Sequence, residues 1–541
     1  MQWTEEQLPA IHSFAKKLLV QAFAGTGKTT TLVGYATHNS SVKMLYLCYN
    51  KAVEIAAKNR FPRNVTCKTA HGLAYAVYGS QYKHKQAGNL RLTDIARTIN
   101  TQDWELAKDI VSTLNAFMAS KDLELLEDHF VRFQSNRTLT SVQQQYMSNA
   151  LNLTRDVWDK MVDIQDRSVS MTHDGYLKLY QMSQPDLSQR FGAILLDEGQ
   201  DVNPVIANLV QIQKITQVTV GDRHQQLYRF RGAVDALNSP AMKDAEKHFL
   251  TQSFRFGPAV AYVANVILSF KGEKIPLQGL GQPTLVKRAL PEDLPHRTYL
   301  HRTVSGVIEN ALRLVNQDHR MQWIGGIDSY SLRDLEDLFY FSRHMNDQVQ
   351  QRKLLTDYAD YDQYVVIAKA TQDPEMLRSI KMIENYPDLP KRIEQLRGAS
   401  VTSELDATVT LSTAHRAKGL EWDFVGLYDD FSADPLSPDI DAGKRDDELN
   451  LLVAATARIL PTPLRQVSRL SGIRRIKSAY AVTRSALHLT LVMKPKRRCL
   501  PHSRFIYPGD RLNASSYHRR PYHLTSHPRS VKTNITYPIG K

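Results

Sequence analysis

The stretch Ala22-Phe-Ala-Gly-Thr-Gly-Lys-Thr29 decides how the chain is read. An apolar run, Leu18-Leu-Val20, precedes it and reads as a buried strand; Thr30-Thr-Leu-Val-Gly-Tyr-Ala36 follows and reads as a helix start. Strand, glycine-rich turn and helix in that order are the setting of a phosphate-binding loop. Gly25 and Gly27 let the backbone curl with its N–H groups inward, and the helix N-terminus adds partial positive charge. Ala24, Gly25, Thr26, Gly27 and Thr30 are expected to wrap a nucleotide. Lys28 is expected to reach its β- and γ-phosphates and the Thr29 hydroxyl to ligate Mg²⁺. Ala22 stands where the general pattern has its first glycine, and a small residue fits there.

Upstream, Gln7 carries an amide that donates and accepts at once, which suits the edge of an adenine. Downstream, Lys43-Met-Leu-Tyr-Leu-Cys-Tyr49 reads as a second buried strand ending at Asn50-Lys51. Polar residues at strand C-termini are where α/β sheets place ligand contacts. Thr66-Cys-Lys-Thr-Ala-His-Gly72 follows as a strand running into a helix. Asn50, Lys51, Thr69 and His71 are candidates to touch a phosphodiester backbone; a capped helix with solvated charges is the competing reading. Residues 76–185 are polar and helical in pattern and read as an inserted subdomain; His173 reads as structural or DNA-facing.

Ala193-Ile-Leu-Leu196 reads as a strand with Asp197 and Glu198 emerging at its end. Asp197 would hold Mg²⁺ and Glu198 would polarise an attacking water, completing the site begun by Lys28. A further strand, Gln217-Val-Thr-Val-Gly221, ends near Gln225, placed to sense a γ-phosphate. Tyr228, Phe230 and Arg231 interleave aromatics and arginine, as single-strand stacking platforms do. Arg255, after Phe249-Leu-Thr-Gln-Ser-Phe254, is a candidate arginine finger. Pro276 to His296 reads as a linker or hairpin region, and residues 320–400 as a second helical insert. Thr408 to Val425 runs a strand into His415-Arg-Ala-Lys-Gly-Leu-Glu421, which is rich in phosphate-reaching groups.

Composition narrows the classes. The chain has 541 residues, 42% hydrophobic and 9% aromatic, which fits several globular domains. A formal charge of +14 favours a polyanionic partner, nucleic acid before membrane. Cys48, Cys67 and Cys499 form neither a zinc spacing nor a disulfide framework, so a reducing compartment is expected. The start, MQWTEEQLPA, reads as no signal peptide, and no run is long enough to span a bilayer. The expectation is an intracellular protein, cytoplasmic in a bacterium or phage and nuclear in a eukaryote.

In order, Gln7, AFAGTGKTT, YNKAV with TAHGLAY, LLDEGQD, GDRHQQLYRFRGA, SFRF and STAHRAKGLEWD resemble the superfamily 1 helicases of the UvrD/Rep type. MTHDGYLK, IGGIDSY and HRAKGLEW are most similar to the F-box DNA helicase branch with its phage and bacterial relatives, and no F-box is seen. The resemblance implies an α/β fold of two RecA-like lobes, each with a helical insert, holding ATP and Mg²⁺ between them. It implies a first lobe at 1–75 and 186–249 around an insert at 76–185. It implies a second lobe at 250–319 and 401–493 around an insert at 320–400. Lys28, Thr29, Asp197, Glu198 and Gln225 would serve from the first lobe, and Arg255, Glu421 and a final-motif arginine from the second. Phe230 matches a base-stacking aromatic, His415 matches a DNA-contacting position, and Gly199 replaces the alanine of DEAQD.

The family expects a last motif similar to ELNLLYVAVTRA. Here Glu448-Leu-Asn-Leu-Leu-Val-Ala-Ala-Thr-Ala-Arg458 is separated from Tyr480-Ala-Val-Thr-Arg484, so the motif reads as split by an insertion of about 27 residues. Arg484 keeps the Thr-Arg order and is taken as the motif arginine; Arg458 is one residue out of register. Residues 494–541 read as a basic disordered tail, open to phosphate contacts, nuclear import or no role. The implied activity is a 3′–5′ DNA helicase or translocase on single strands and single/double-strand junctions, in repair, recombination or replication. A protein-stripping translocase and a DNA-binding protein with a decayed ATPase are the alternatives.

Overall fold

The computed structural model describes residues 2–134, 138–229, 232–287, 290–291, 294–432, 434–458 and 480–482. The chain divides into two compact units, 1–493 and 494–541, and the second lies outside the described residues. Among the described residues no helix is long and apolar enough to cross a membrane.

Two parallel sheets organise the first unit. One contains β1 (Lys17–Ala22), β2 (Met44–Cys48), β3 (Val65–Thr69), β4 (Ala193–Leu196), β5 (Thr216–Gly221) and β6 (Glu246–Leu250), in the order β3-β2-β4-β5-β1-β6. Every pairing in it is parallel. Its central strands are apolar runs because both faces are covered: Leu18, Leu19, Val20 and Ala193 through Leu196 are all buried. Parallel strands bring their C-terminal ends to one edge, so β1, β2, β4 and β5 deliver the residues that follow them to the same place.

The second sheet contains β7 (Leu285–Val286), β8 (Arg297–His301), β9 (Met321–Trp323), β10 (Ser400–Val401), β11 (Val409–Thr413), β12 (Phe424–Leu427) and β13 (Tyr480–Val482). Their order is β7-β13-β12-β8-β11-β9-β10, again all parallel. Met321 and Trp323 are buried where β9 pairs with β11. Residues 321–323 and 400–401 therefore belong to the sheet, and the helices from Leu332–Ser342 to Leu389–Gly398 make an excursion between neighbouring strands. The helix Ala442–Thr456 buries every residue from Leu449 onward. It packs into a core that also takes in Phe23, Ala24 and Leu227, so apolar contact runs from one sheet's elements to the other's.

The excursion from the first sheet is helical. Trp104–Ala119, Ser141–Val162 and His173–Met182 enclose Leu114, Phe117, Ala150, Val157, Met161 and Leu177. Two buried lysines hold it together by capping carbonyls. Lys85 Nζ donates to the carbonyls of Lys160, Asp163 and Asp166 at 2.9, 2.7 and 2.7 Å, closing the end of Ser141–Val162. Lys178, with 0% exposure, donates to the carbonyls of Ser120 (2.9 Å) and Asp122 and lies 4.5 Å from the Phe117 ring centre. Burial pushes its ammonium down to about 8.

Candidate active site

The loop after β1 is shaped by glycine. Gly25 and Gly27 have φ of +73° and +86°, in the left-handed region. Space demands glycine as well. A Cβ at Gly25 would fall 2.5 Å from Ser253 Oγ, and one at Gly27 would fall 2.7 Å from Gln7 Nε2. The helix α1 (Lys28–His38) starts immediately after, and Thr26 Oγ1 donates to the Phe23 carbonyl at 2.9 Å.

At the end of β4, Asp197 accepts from the Thr29 hydroxyl at 3.0 Å, the Tyr46 hydroxyl at 2.7 Å and the Glu198 N–H at 2.9 Å. Burial, then the neighbouring Glu198, pushes the Asp197 carboxyl up. A buried carboxylate beside a hydroxyl is a hard-oxygen pair that fits Mg²⁺. Among the described residues no group of three or more His, Cys, Asp or Glu could hold a metal alone, so waters and phosphate oxygens would complete such a shell. Glu198 itself is held at φ +54°. Burial raises its carboxyl, but Lys418 and Lys28 outweigh that and hold it well below the usual range. Gly199 has no room for the alanine of the related motif, since a Cβ would sit 2.7 Å from Thr219 Cγ2.

Gln225, Arg255, Lys418, Glu421 and Arg458 face the same cleft, whose volume is about 570 Å³, within the usual range for a nucleotide-sized ligand. Gln225 donates to Asp222 Oδ2 at 2.5 Å and accepts from Arg458 Nη2 at 3.2 Å. Arg255 pairs with Glu421 and donates to the Ala457 carbonyl at 3.1 Å. Burial lowers both guanidiniums, Arg458 to about 10, where the adjacent Arg255 adds to the effect. Among the described residues, the Nε atoms of Arg255 and Arg458 are buried without a hydrogen-bond partner. Two desolvated like charges side by side are costly and fit a site built to receive an anion.

Most of the sequence-predicted nucleotide residues meet here. Gly25 through Thr30, Asp197, Glu198, Gln225, Arg255 and Glu421 line the cleft. Gln7 is buried against Gly27, and Ala24 lies in the core beneath. Arg484, preferred on register, lies outside the described residues, as do Phe230 and Arg231. Arg458, one residue out of register, lines the cleft. The helix preceding it ends at Thr456, and the Arg458 carbonyl accepts from the Trp422 N–H at 2.9 Å.

The candidate DNA residues are placed unevenly. Asn50 and Thr69 spend their side chains as helix N-caps, on the N–H groups of Val53 and Gly72. Lys51 stays exposed while pairing with buried Glu54 at 2.8 Å, and His71 meets Asp174 at 3.1 Å. Tyr228 stacks on Tyr49 with ring centres 4.8 Å apart, and its hydroxyl donates to the His415 carbonyl at 3.4 Å. Lys418 Nζ lies 5.7 Å from each of the two tyrosine rings. Sequence reasoning missed Lys418, although it sits inside the quoted HRAKGLEW.

Known proteins carry the same pattern. Residues 3–246 match the UvrD/REP helicase N-terminal domain. F-box DNA helicase 1 of Gallus gallus is 32% identical over 477 residues, covering 81% of this chain and 46% of that protein. F-box DNA helicase protein 1 of Schizosaccharomyces pombe is 32% identical over 452 residues, covering 76% and 51%. The ATP-dependent DNA helicase PcrA of Leuconostoc citreum is 24% identical over 400 residues, covering 62% and 51%. The chain spans about half the length of the curated relatives it matches. With its glycine loop, Asp197-Glu198 pair and converging arginines in place, the chain carries the UvrD/REP helicase N-terminal domain over residues 3–246.

Proposed function

We propose that this chain is an ATP- and Mg²⁺-dependent DNA helicase or translocase, moving 3′ to 5′ on single-stranded DNA. The observation that carries the reading is the arrival of Arg255, after the first sheet's last strand, and of Arg458, after the helix Ala442–Thr456, at the cleft shaped by Gly25, Gly27 and Lys28. Nucleotide placed there would touch both halves of the chain at once.

Mg²⁺ would be held by Thr29 and Asp197 together with phosphate oxygens, and would neutralise charge developing on those oxygens. Lys28 would bind the β- and γ-phosphates, and Glu198 would take the proton of the attacking water. Gln225 would hold the γ-phosphate end through its contact with Arg458. Arg255 and Arg458 would stabilise the transition-state charge, and Glu421 would hold Arg255 in position. DNA would run past Asn50, Lys51, Thr69, His71, Tyr228, Phe230, Arg231 and His415. Tyr228 joins the two functions, since its ring stacks on Tyr49 and approaches Lys418, which binds Glu198. The converging arginines favour an intact ATPase over a decayed one.

The test is ATP hydrolysis with and without single-stranded DNA. Strong stimulation that disappears in Lys28→Ala is the expected result, weakening as salt rises because phosphate contacts release counterions. Hydrolysis indifferent to DNA would overturn the reading. Strand displacement from 3′- and 5′-tailed duplexes reads polarity and separates a helicase from a translocase that unwinds little.

A further inference from the structure

The corner after the helix Pro258–Phe270 holds two elements that meet at the cleft. The helix packs Ala264, Ile267 and Leu268 into one core with Leu449, Leu452 and Val453 of Ala442–Thr456. Just past its end Gly272 takes a φ of +72°, in the left-handed region, and the residues on either side of it turn to different partners. Lys271 Nζ pairs with Asp446 Oδ1 at 3.4 Å, on the helix that precedes Arg458. Glu273 crosses to the turn Arg223–Gln225 that follows β5.

Both oxygens of Glu273 are engaged. Oε1 accepts from the N–H groups of Lys274 and Ile275 at 2.8 and 2.9 Å, which fixes the carboxylate on its own corner. Oε2 accepts from His224 Nε2 at 2.8 Å and from Arg223 Nη2 at 2.5 Å. Burial raises this carboxyl, but the Ile275 N–H, His224 and Arg223 outweigh that and hold it at about 2. The His224 and Glu273 side chains are 5% and 7% exposed, and His224 Nδ1 is buried without a hydrogen-bond partner among the described residues. Nε2 is therefore the ring's polar anchor. The face of the ring stacks on Phe23, in the glycine-loop stretch, with centres 5.8 Å apart.

Gln225 is the next residue. Asp222 supports it from below: Oδ1 accepts from the His224 N–H at 3.0 Å and Oδ2 from Gln225 Nε2 at 2.5 Å. A three-residue 3₁₀ turn has no ladder of its own to fix where that amide points. One short corner thus grips both the helix that brings Arg458 and the turn that brings Gln225, and those two residues meet at 3.2 Å.

We propose that Glu273 is a positioning residue for hydrolysis: through His224 it sets the Arg223–Gln225 turn so that the Gln225 amide meets Arg458 and the terminal phosphate. Glu273 does not itself line the cleft. This rests on reading the cleft as the ATP site, and it adds a residue that acts from behind it.

The experiment compares Mg²⁺–ATP and Mg²⁺–ADP binding to the full chain by calorimetry, with DNA-stimulated hydrolysis alongside. Glu273→Ala is expected to weaken ATP binding about three- to tenfold, the size of one hydrogen bond, and to leave ADP binding unchanged, because ADP lacks the phosphate that Gln225 meets. The kcat is expected to fall about 10–10²-fold, as for a displaced catalytic group. His224→Leu is expected to reproduce both effects, and His224→Gln, whose amide N–H can donate to Oε2, to restore most of the activity. Because Glu273 acts through Gln225, adding Glu273→Ala to Gln225→Ala is expected to cost nothing further. Equal weakening of ATP and ADP, full activity in both Glu273→Ala and His224→Leu, or losses that add in the double variant would overturn the proposal and leave the ATP site standing. Should Glu273→Ala fail to fold, the two His224 variants carry the same test. Wild-type protein that binds neither nucleotide would overturn the ATP site and the proposal together.

Discussion

Lys418 Nζ lies 3.2 Å from Glu198 Oε2 and also contacts Asp201, so one cation from the segment after β11 neutralises two carboxylates at the end of β4. The same Asp201 accepts the N–H groups of Leu227 and Tyr228 at 2.9 and 3.2 Å. The candidate base and the stacked tyrosines thus share a counter-ion.

Removing that counter-ion has a directional consequence. Burial raises the Glu198 carboxyl, and Lys418 is the largest influence lowering it. In Lys418→Met the folded-state pKa of Glu198 rises, so the base needs a higher pH to be ionised. The acidic limb of the kcat–pH profile is expected to move up. A uniform fall across the profile would argue against Glu198 as the base.

Glu198→Gln keeps size and the approach of Gln200 while removing the proton acceptor. ATP binding is expected to survive while hydrolysis falls about 10²–10⁴-fold. Calorimetric binding beside single-turnover hydrolysis separates the two.

Arg458→Ala is expected to lower DNA-stimulated kcat about 10³-fold or more, in line with other arginine fingers, with single-strand affinity little changed. Arg255→Ala should behave alike, since both guanidiniums meet the cleft. Arg484→Ala, assayed in parallel, is expected to keep most activity, because Arg458 already contacts Gln225. A reversed ranking would return the role to Arg484.

Lys178→Met should destabilise the helical excursion by roughly 1–3 kcal/mol, leaving the Ser120 and Asp122 carbonyls without their donor. Its pH dependence has a definite sign. The folded-state pKa of about 8 is below the ordinary lysine value, so from about pH 8 upward the unfolded chain holds a proton that the folded chain has released. This group's contribution to stability therefore rises with pH over that window. The melting-temperature gap between wild type and Lys178→Met should widen from about pH 7.5 to about pH 9.5.

The nucleotide half of the site was legible because its chemistry is local. A glycine loop between strand and helix, and carboxylates after an apolar strand, are short-range patterns that already imply their partners. Individual strands were legible for the same reason, through Leu18–Val20, Ala193–Leu196 and the strand before His415, while the two-lobe plan came from the family resemblance. What escaped depends on distance in sequence. Lys418 acts on Glu198 across 220 residues of chain, and Arg60 reaches the cleft because a turn follows the helix Lys51–Lys58. Met321–Trp323 escaped too, because three residues are too few to show a strand's alternation, and their burial comes from pairing with Val409–Leu411.

The helix that ends at Thr456 delivers Arg458 to the cleft, and the chain re-enters the second sheet at Tyr480–Val482, between Leu285–Val286 and Phe424–Leu427. Both banks of the 459–479 passage are therefore moored. A polypeptide joining two moored points gains length cheaply, about 0.6 kcal/mol for each doubling. A fluorophore, an epitope or a foreign peptide spliced between Arg458 and Tyr480 is therefore expected to leave Arg458 at the cleft.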